Sequence, residues 1–264
     1  MIAALARLYA ATEETRYLKA ARRAEAFLSA RLTDAGRLRV RWCDGEAAGR
    51  GTLEDYAFSA RALLELYRAT FDAAYLEKAL YWAARMREQF SDDAQRGLFM
   101  TANDAERLLF RPKETYDGAL PSGNSVACEV YVRLAALTAE PAWSEAAEAQ
   151  CAFLSGAAAA HPAGHTYALL ALQQTLYPMA ELLCVSPPEG ELARLRRLAA
   201  ANPTLSVLVK NKNNAAMLAA AAPFTAPYPA ESDGPLYYLC TQNRCAAPSR
   251  ELDSVLAALP FRIK

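Results

Sequence analysis

The chain has 264 residues, with 29 basic and 29 acidic side chains, so its formal charge is zero. Such a chain lacks the broad positive field that a phosphate backbone or an anionic membrane selects, which argues against both as partners. With 53% hydrophobic and 22% charged residues the composition is that of a globular domain, and no apolar run approaches the roughly 20 residues of a membrane helix.

The start, Met1-Ile2-Ala3-Ala4-Leu5-Ala6-Arg7, has no basic segment ahead of its apolar run, so no signal peptide is expected and the setting read from it is cytoplasmic. A pattern then recurs along the chain. Leu8-Tyr9-Ala10-Ala11-Thr12 is followed by Tyr17-Leu18-Lys19-Ala20. Leu66-Tyr67-Arg68-Ala69-Thr70 is followed by Tyr75-Leu76-Glu77-Lys78-Ala79, and a weaker copy runs through Leu134, Thr138, Trp143 and Ala146-Ala147. Each copy reads as the end of one helix, a short turn and the start of the next. Leu53, Tyr56, Ala57, Ala60, Leu63, Leu64 and Tyr67 step by three and four, with Arg61, Glu65 and Arg68 off that stripe. Helices are predicted near 2–11, 15–31, 53–69, 73–89, 123–137, 141–155 and 164–177. The connections 32–52 and 90–122 are long and rich in Gly, Asp, Asn and Pro, so a stack of antiparallel hairpins would gather them on one face, where a cleft is expected.

Beyond Tyr177 the pattern changes. Strands are predicted at 180–185, 205–209 and 236–240, and helices at 189–201, 215–222 and 249–259, with a proline-rich connector at 223–235. This reads as a small α/β unit over 179–264, of βαβ type with a short parallel sheet, after a helical domain over 1–178. It contains neither GxGxxG nor a Walker loop, and no cofactor is expected. Six scattered cysteines suit reduced, buried thiols. Cys240 and Cys245 are read the same way, a disulfide between them being the alternative. Two histidines give no basis for a metal site.

The stretch with the most chemical character is Lys113-Glu114-Thr115-Tyr116-Asp117-Gly118-Ala119-Leu120-Pro121-Ser122-Gly123-Asn124-Ser125. Ser122 or Asn124 can cap the following helix; the functional alternative carries Asp117 and Asn124 into a cleft. Thr52-Leu53-Glu54-Asp55-Tyr56 opens the preceding inner helix on the same face, either as a capping box or as a source of a cleft carboxylate. Asp55 and Asp117 are the candidate acid/base pair, since glycoside hydrolysis needs two carboxylates. Glu54, Tyr56, Glu114, Ser122, Asn124 and His165 are the candidate substrate contacts. Trp42 and Tyr56 can stack on a sugar or belong to the core, and Arg111 and Lys113 can meet an anion or face solvent.

Asp117–Ala127, Leu53-Glu54-Asp55-Tyr56-Ala57-Phe58, Leu63-Leu64-Glu65-Leu66-Tyr67 with Thr70-Phe71-Asp72, and Leu239-Cys240-Thr241-Gln242-Asn243-Arg244-Cys245 resemble blocks of the spermatogenesis-associated protein 20 family, whose bacterial members resemble YyaL. The resemblance implies a thioredoxin-like domain followed by an α/α-toroid of the six-hairpin glycosidase type, similar to N-acylglucosamine 2-epimerases, glucanases and glucuronyl hydrolases. Only the later, C-terminal part of that plan is matched, without the thioredoxin-like domain. A complete toroid has about twelve helices, against seven predicted here. The expected fold is therefore mainly α, a partial (α/α)6-type toroid with a small C-terminal α/β (βαβ) unit. The expected function is carbohydrate-related, with a sugar or sugar-derived small molecule as ligand; a glycosidase-like hydrolase and a sugar isomerase or epimerase are both compatible. The alternatives are a non-catalytic interaction module and an inactive fragment. An incomplete toroid also predicts self-association, or a partner, at its open edge.

Overall fold

A computed structural model describes residues 1–92, 94–106, 109–177, 179–241 and 244–261. The helical part comprises α1 (Ile2–Thr12), α2 (Thr15–Arg31), α3 (Leu53–Thr70), α4 (Ala73–Phe90), α5 (Gly123–Thr138), α6 (Pro141–Ala160) and α7 (Thr166–Leu176). They form two layers. Helices α1, α3, α5 and α7 pack side by side as an inner row, while α2, α4 and α6 each lie against their hairpin partner on the outside. The inner helices α3 and α5 are buried along most of their length, because neighbours cover them on several sides.

The three short turns share one design. The Thr12, Thr70 and Thr138 hydroxyls donate back to the carbonyls of Leu8, Leu66 and Leu134 at 2.7, 2.7 and 2.8 Å. The same oxygens accept from the backbone N–H groups of Glu14, Asp72 and Glu140 at 3.3, 3.2 and 3.2 Å. Between them, Glu13, Phe71 and Ala139 take left-handed backbone angles, with φ of 59°, 55° and 54°, and close each helix with an N–H bond four residues back. The repeat seen in the sequence is thus a repeat of hydrogen bonds.

The first long connection is a three-stranded antiparallel sheet, which the sequence reading took for a loop. Its strands are β1 (Thr33–Asp34), β2 (Arg37–Cys43) and β3 (Glu46–Arg50). Two-residue turns join them. Ala35-Gly36 and Asp44-Gly45 all have positive φ, the conformation that short hairpins require.

The C-terminal segment holds β4 (Ala180–Val185), α8 (Glu189–Ala201), β5 (Leu205–Lys210), α9 (Ala215–Ala221), β6 (Leu236–Thr241), β7 (Arg244–Cys245) and α10 (Leu252–Ala257). The sheet order is β5-β4-β6-β7. Strands β4 and β5 are parallel across α8, but β6 runs antiparallel to β4, with Val185 opposite Leu236. The expectation of an all-parallel sheet fails because the connector after α9 is held beside the end of β5, so β6 starts there and runs back. Lys210 fixes that return. It is buried at the end of β5, and its Nζ donates to the carbonyls of Thr225 and Tyr228 at 2.6 and 2.7 Å, pinning the proline-rich connector.

The sheet packs onto the helical layer by alternate residues. Leu183 and Leu208 join the main core with Leu64, Tyr67 and Met86, while Leu182, Cys184, Val207 and Val209 face a second core under α8 and α10. Cys240 and Cys245 are bridged by a disulfide, correcting the reading of both as reduced buried thiols. Opposed across the β6–β7 pair, they sit within bonding reach, and Cys245 is exposed. No described helix is long and apolar enough to cross a membrane.

Candidate functional site

At the long-connection end, the residues singled out from the sequence are placed and tightly bonded. Asp55 completes a capping box on α3, its carboxylate accepting from the Thr52 N–H and hydroxyl at 2.7 and 3.0 Å. Asp117, nearly buried, accepts from the Ser122 N–H at 2.9 Å, and from the Tyr167 and Ala168 N–H groups at 2.8 and 3.0 Å. It therefore caps α7 from fifty residues away in sequence. Ser122 caps α5 by accepting from the Ser125 N–H. Asp55 and Ser122 make the capping bonds that the sequence offered as one reading, while the cap that Asp117 places on α7 was not among those readings.

Asn124 is fully buried and makes four hydrogen bonds, the usual full complement of its amide. Its oxygen accepts from the Leu98 N–H and the Gln150 side chain at 2.9 and 2.8 Å; its nitrogen donates to the Leu98 and Glu114 carbonyls at 2.9 and 2.8 Å. It ties the 91–122 connection to the helical layer. Tyr56 is a core residue, packed edge-on to Trp82 and Phe90, with its hydroxyl accepting from the Leu38 N–H at 3.1 Å. His165 is buried. Its Nδ1 donates to the His161 carbonyl at 2.8 Å, and its Nε2 lies 3.2 Å from the Thr115 hydroxyl. Glu54 and Glu114 share a crevice of about 10 Å³ beside Gly123. At Gly123 a Cβ would stand 2.9 Å from Leu53 Cγ, so the glycine permits the close approach of the α3 and α5 starts. The Arg111 guanidinium packs over Phe99 and donates to the Thr101 carbonyl, while Lys113 pairs with Asp92.

A different group of residues lines a cavity beside α3. About 410 Å³ in volume, it lies against the inner row and is bordered by Arg7 of α1, Arg61, Glu65 and Arg68 of α3, Glu129 of α5 and Tyr167 of α7. Ala201 at the end of α8 and residues 202–204 after it also border it. Neither Asp55 nor Asp117 lines it. Arg61, Glu65 and Arg68 occupy the middle and last turns of α3, so this site is offset from the long-connection end, where a cleft was expected.

The charged groups form one network. Glu65, only 2% exposed, bridges Arg68 and Arg133, the latter at 2.8 Å. Glu129 bridges Arg61 at 2.9 Å and Arg133 at 3.3 Å, and accepts from the Tyr167 hydroxyl. Burial by itself would raise the Glu65 carboxyl; Arg133, Arg68, Arg61 and Arg7 outweigh it and hold the group at about 2. Glu129 is likewise pulled below the ordinary carboxylate range against its burial, by Arg133 and Arg61. Burial and the Glu129 charge push the Tyr167 phenol up. Both carboxylates are thus anions and Tyr167 a neutral donor at pH 7. Four guanidinium groups (Arg7, Arg61, Arg68, Arg133) face two carboxylates, an excess of two positive charges. Arg7 stands exposed at the rim and makes no ion pair among the described residues. The sequence carried a usable signal. Charges at 61, 65 and 68, and at 129 and 133, repeat at helical spacing on helices whose other faces are apolar.

No protein-family model matches the chain. Spermatogenesis-associated protein 20 of Homo sapiens is 40% identical over 96 residues, 36% of this chain and 12% of that protein. An uncharacterised Caenorhabditis elegans protein is 33% identical over 141 residues, half of this chain and 19% of that one. The chain thus matches under a fifth of the length of each of these curated relatives. Among solved structures, cellobiose 2-epimerase from Bacillus thermoamylovorans B4167 aligns at a TM-score of 0.46 and 16% identity, over 57% of this chain and 41% of that one.

Proposed function

We propose that the chain is a partial α/α-toroid of the spermatogenesis-associated protein 20 type, and that its inner-face cavity binds a sugar-derived small molecule bearing a carboxylate or phosphate. The observation that carries this reading is the cavity itself, a concave site in whose lining Arg7, Arg61 and Arg68 outnumber the carboxylates of Glu65 and Glu129 by one. Arg7 and Arg61 receive the anionic group, which pairs well with guanidinium forks. Glu129 accepts from a ligand hydroxyl, and the Tyr167 and Tyr177 rings supply apolar faces for a sugar. In this reading Glu129 and Tyr167 replace Asp55 and Asp117 as the candidate ligand contacts, because helix N-termini already occupy the latter two carboxylates.

A melting-temperature screen tests this. Sugar acids and sugar phosphates are expected to raise the melting temperature, with the matching neutral sugars giving less. Arg7→Gln should weaken that shift while changing the stability of the unliganded protein little, since Arg7 has the smallest effect of the four guanidinium groups acting on Glu65. Silence toward every anionic sugar, or a shift unchanged in Arg7→Gln, overturns the assignment.

The second reading, an interaction module, rests on α7. Leu176 at its end is 81% exposed, and Leu170 and Tyr177, which border the cavity, are 55% and 58% exposed. In that reading this edge meets a second copy of the chain, with little charge repulsion to oppose it. Light scattering that reports a monomer at high concentration removes this reading.

A further inference from the structure

Among the cysteines without a disulfide, two lie together. Cys128 on the inner helix α5 and Cys151 on the outer helix α6 have their sulfurs 3.3 Å apart. They come from the two arms of one hairpin, 23 residues apart in sequence. Cys128 is fully buried and Cys151 half-buried, so only Cys151 offers a path to solvent. Cys43 lies alone and exposed, and Cys184 is buried in the second core.

We propose that Cys128 and Cys151 form a thiol pair that a disulfide oxidant converts into an interhelical disulfide, with Cys151 as the attacking thiol and Cys128 as the resolving one. The sulfurs must close from 3.3 Å to roughly 2.0 Å, a movement that side-chain rotation can supply. The Cys151 thiolate attacks one sulfur of the oxidant, whose S–S bond breaks to give a mixed disulfide on Cys151 and one released thiolate. Cys128 then attacks the Cys151 sulfur and passes its proton to the thiolate that leaves. The two cysteines lose two hydrogens in all, and the oxidant is reduced to two thiols.

The hydrogen bond between the two sulfurs favours this order. It stabilises the Cys151 thiolate and lowers its pKa, whereas the same contact, together with burial, pushes the Cys128 thiol up. The reactive thiol is therefore also the accessible one.

Incubation of the native chain with oxidised glutathione, followed by peptide mapping without reduction, tests the proposal. The expected product is a Cys128–Cys151 cross-linked peptide, lighter by two hydrogens, that disappears on mild reduction. Cys128→Ser should instead carry glutathione on Cys151, and Cys151→Ser should leave Cys128 unmodified. Exposed Cys43 is the internal control for the oxidant. Glutathione on Cys43 with no Cys128–Cys151 peptide in the native chain overturns the proposal, as does modification of Cys128 ahead of Cys151. The native-chain result decides even if the serine variants fold poorly.

Discussion

At one end of the helical layers, three threonines perform the same task three times; at the other, each long connection is held by a different device. The turns after Thr12, Thr70 and Thr138 are superposable in their hydrogen bonds and left-handed residues. Across the molecule, one connection folds as a sheet with its own turns, and the other is irregular, with Asn124 among its anchors. The difference teaches where single residues matter. A local turn is specified by four or five neighbours that share the work. In the irregular connection a single side chain satisfies several backbone groups at once, and such a side chain is hard to replace.

The sharpest way to test this contrast is Asn124→Ala. It leaves the Leu98 N–H and carbonyl, the Glu114 carbonyl and the Gln150 amide without that partner, and should cost roughly 4 kcal/mol. Denaturant unfolding measures it, and a loss under about 1 kcal/mol would show that the connection is held elsewhere. Next comes the inner face between the two ends. The Glu65 carboxyl sits at about 2 in the fold against an ordinary 4.5. Its stabilisation is therefore complete above pH 4.5 and is lost as pH falls toward 2, on the order of 3 kcal/mol. Glu65→Gln should flatten that acid limb of the stability profile; an unchanged limb would place the titration on other groups. The smallest effect belongs to the repeated turn. Thr70→Val removes one donated and one accepted bond at a partly exposed site, and should cost about 1 kcal/mol or less. Thr12→Val should match it, while Thr138→Val, at a buried site, should cost more.

The helical hairpins were legible because two independent signals agreed, the three-and-four spacing of apolar residues and the threonine at each turn. Strands β4, β5 and β6 were legible as short apolar runs, but the direction of β6 was not. Strand polarity depends on how far the intervening chain travels, and the pattern of β6 is the same read either way. The β1–β3 sheet had a signal, Asp44-Gly45 between residues that alternate in polarity, but its long connection masked it. Cys240 and Cys245 could not be paired until the β6–β7 register placed them opposite each other. Capping residues such as Asp55 and Ser122 were correctly picked out as special, since the same acceptors serve caps and clefts alike. The charged cavity was missed because a charged stripe on an amphipathic helix is ordinarily its wet face. Here the inner row turns Arg61, Glu65 and Arg68 toward residues 201–204, a fact that belongs to tertiary packing alone.

The cap that Asp117 places on α7 bears on the order of assembly. This helix has eleven residues and no side-chain cap of its own, and isolated helices shorter than roughly 12 residues are marginal in water. Its first turn gains an acceptor only when the chain around 117 has docked. Folding of α7 is thereby coupled to a contact of high sequence separation, which forms late when loop closure is slow. The amide protons of Tyr167 and Ala168 are the natural clock for that event, and their protection in pulsed hydrogen exchange should rise together with that of Ser122, whose N–H shares the same carboxylate.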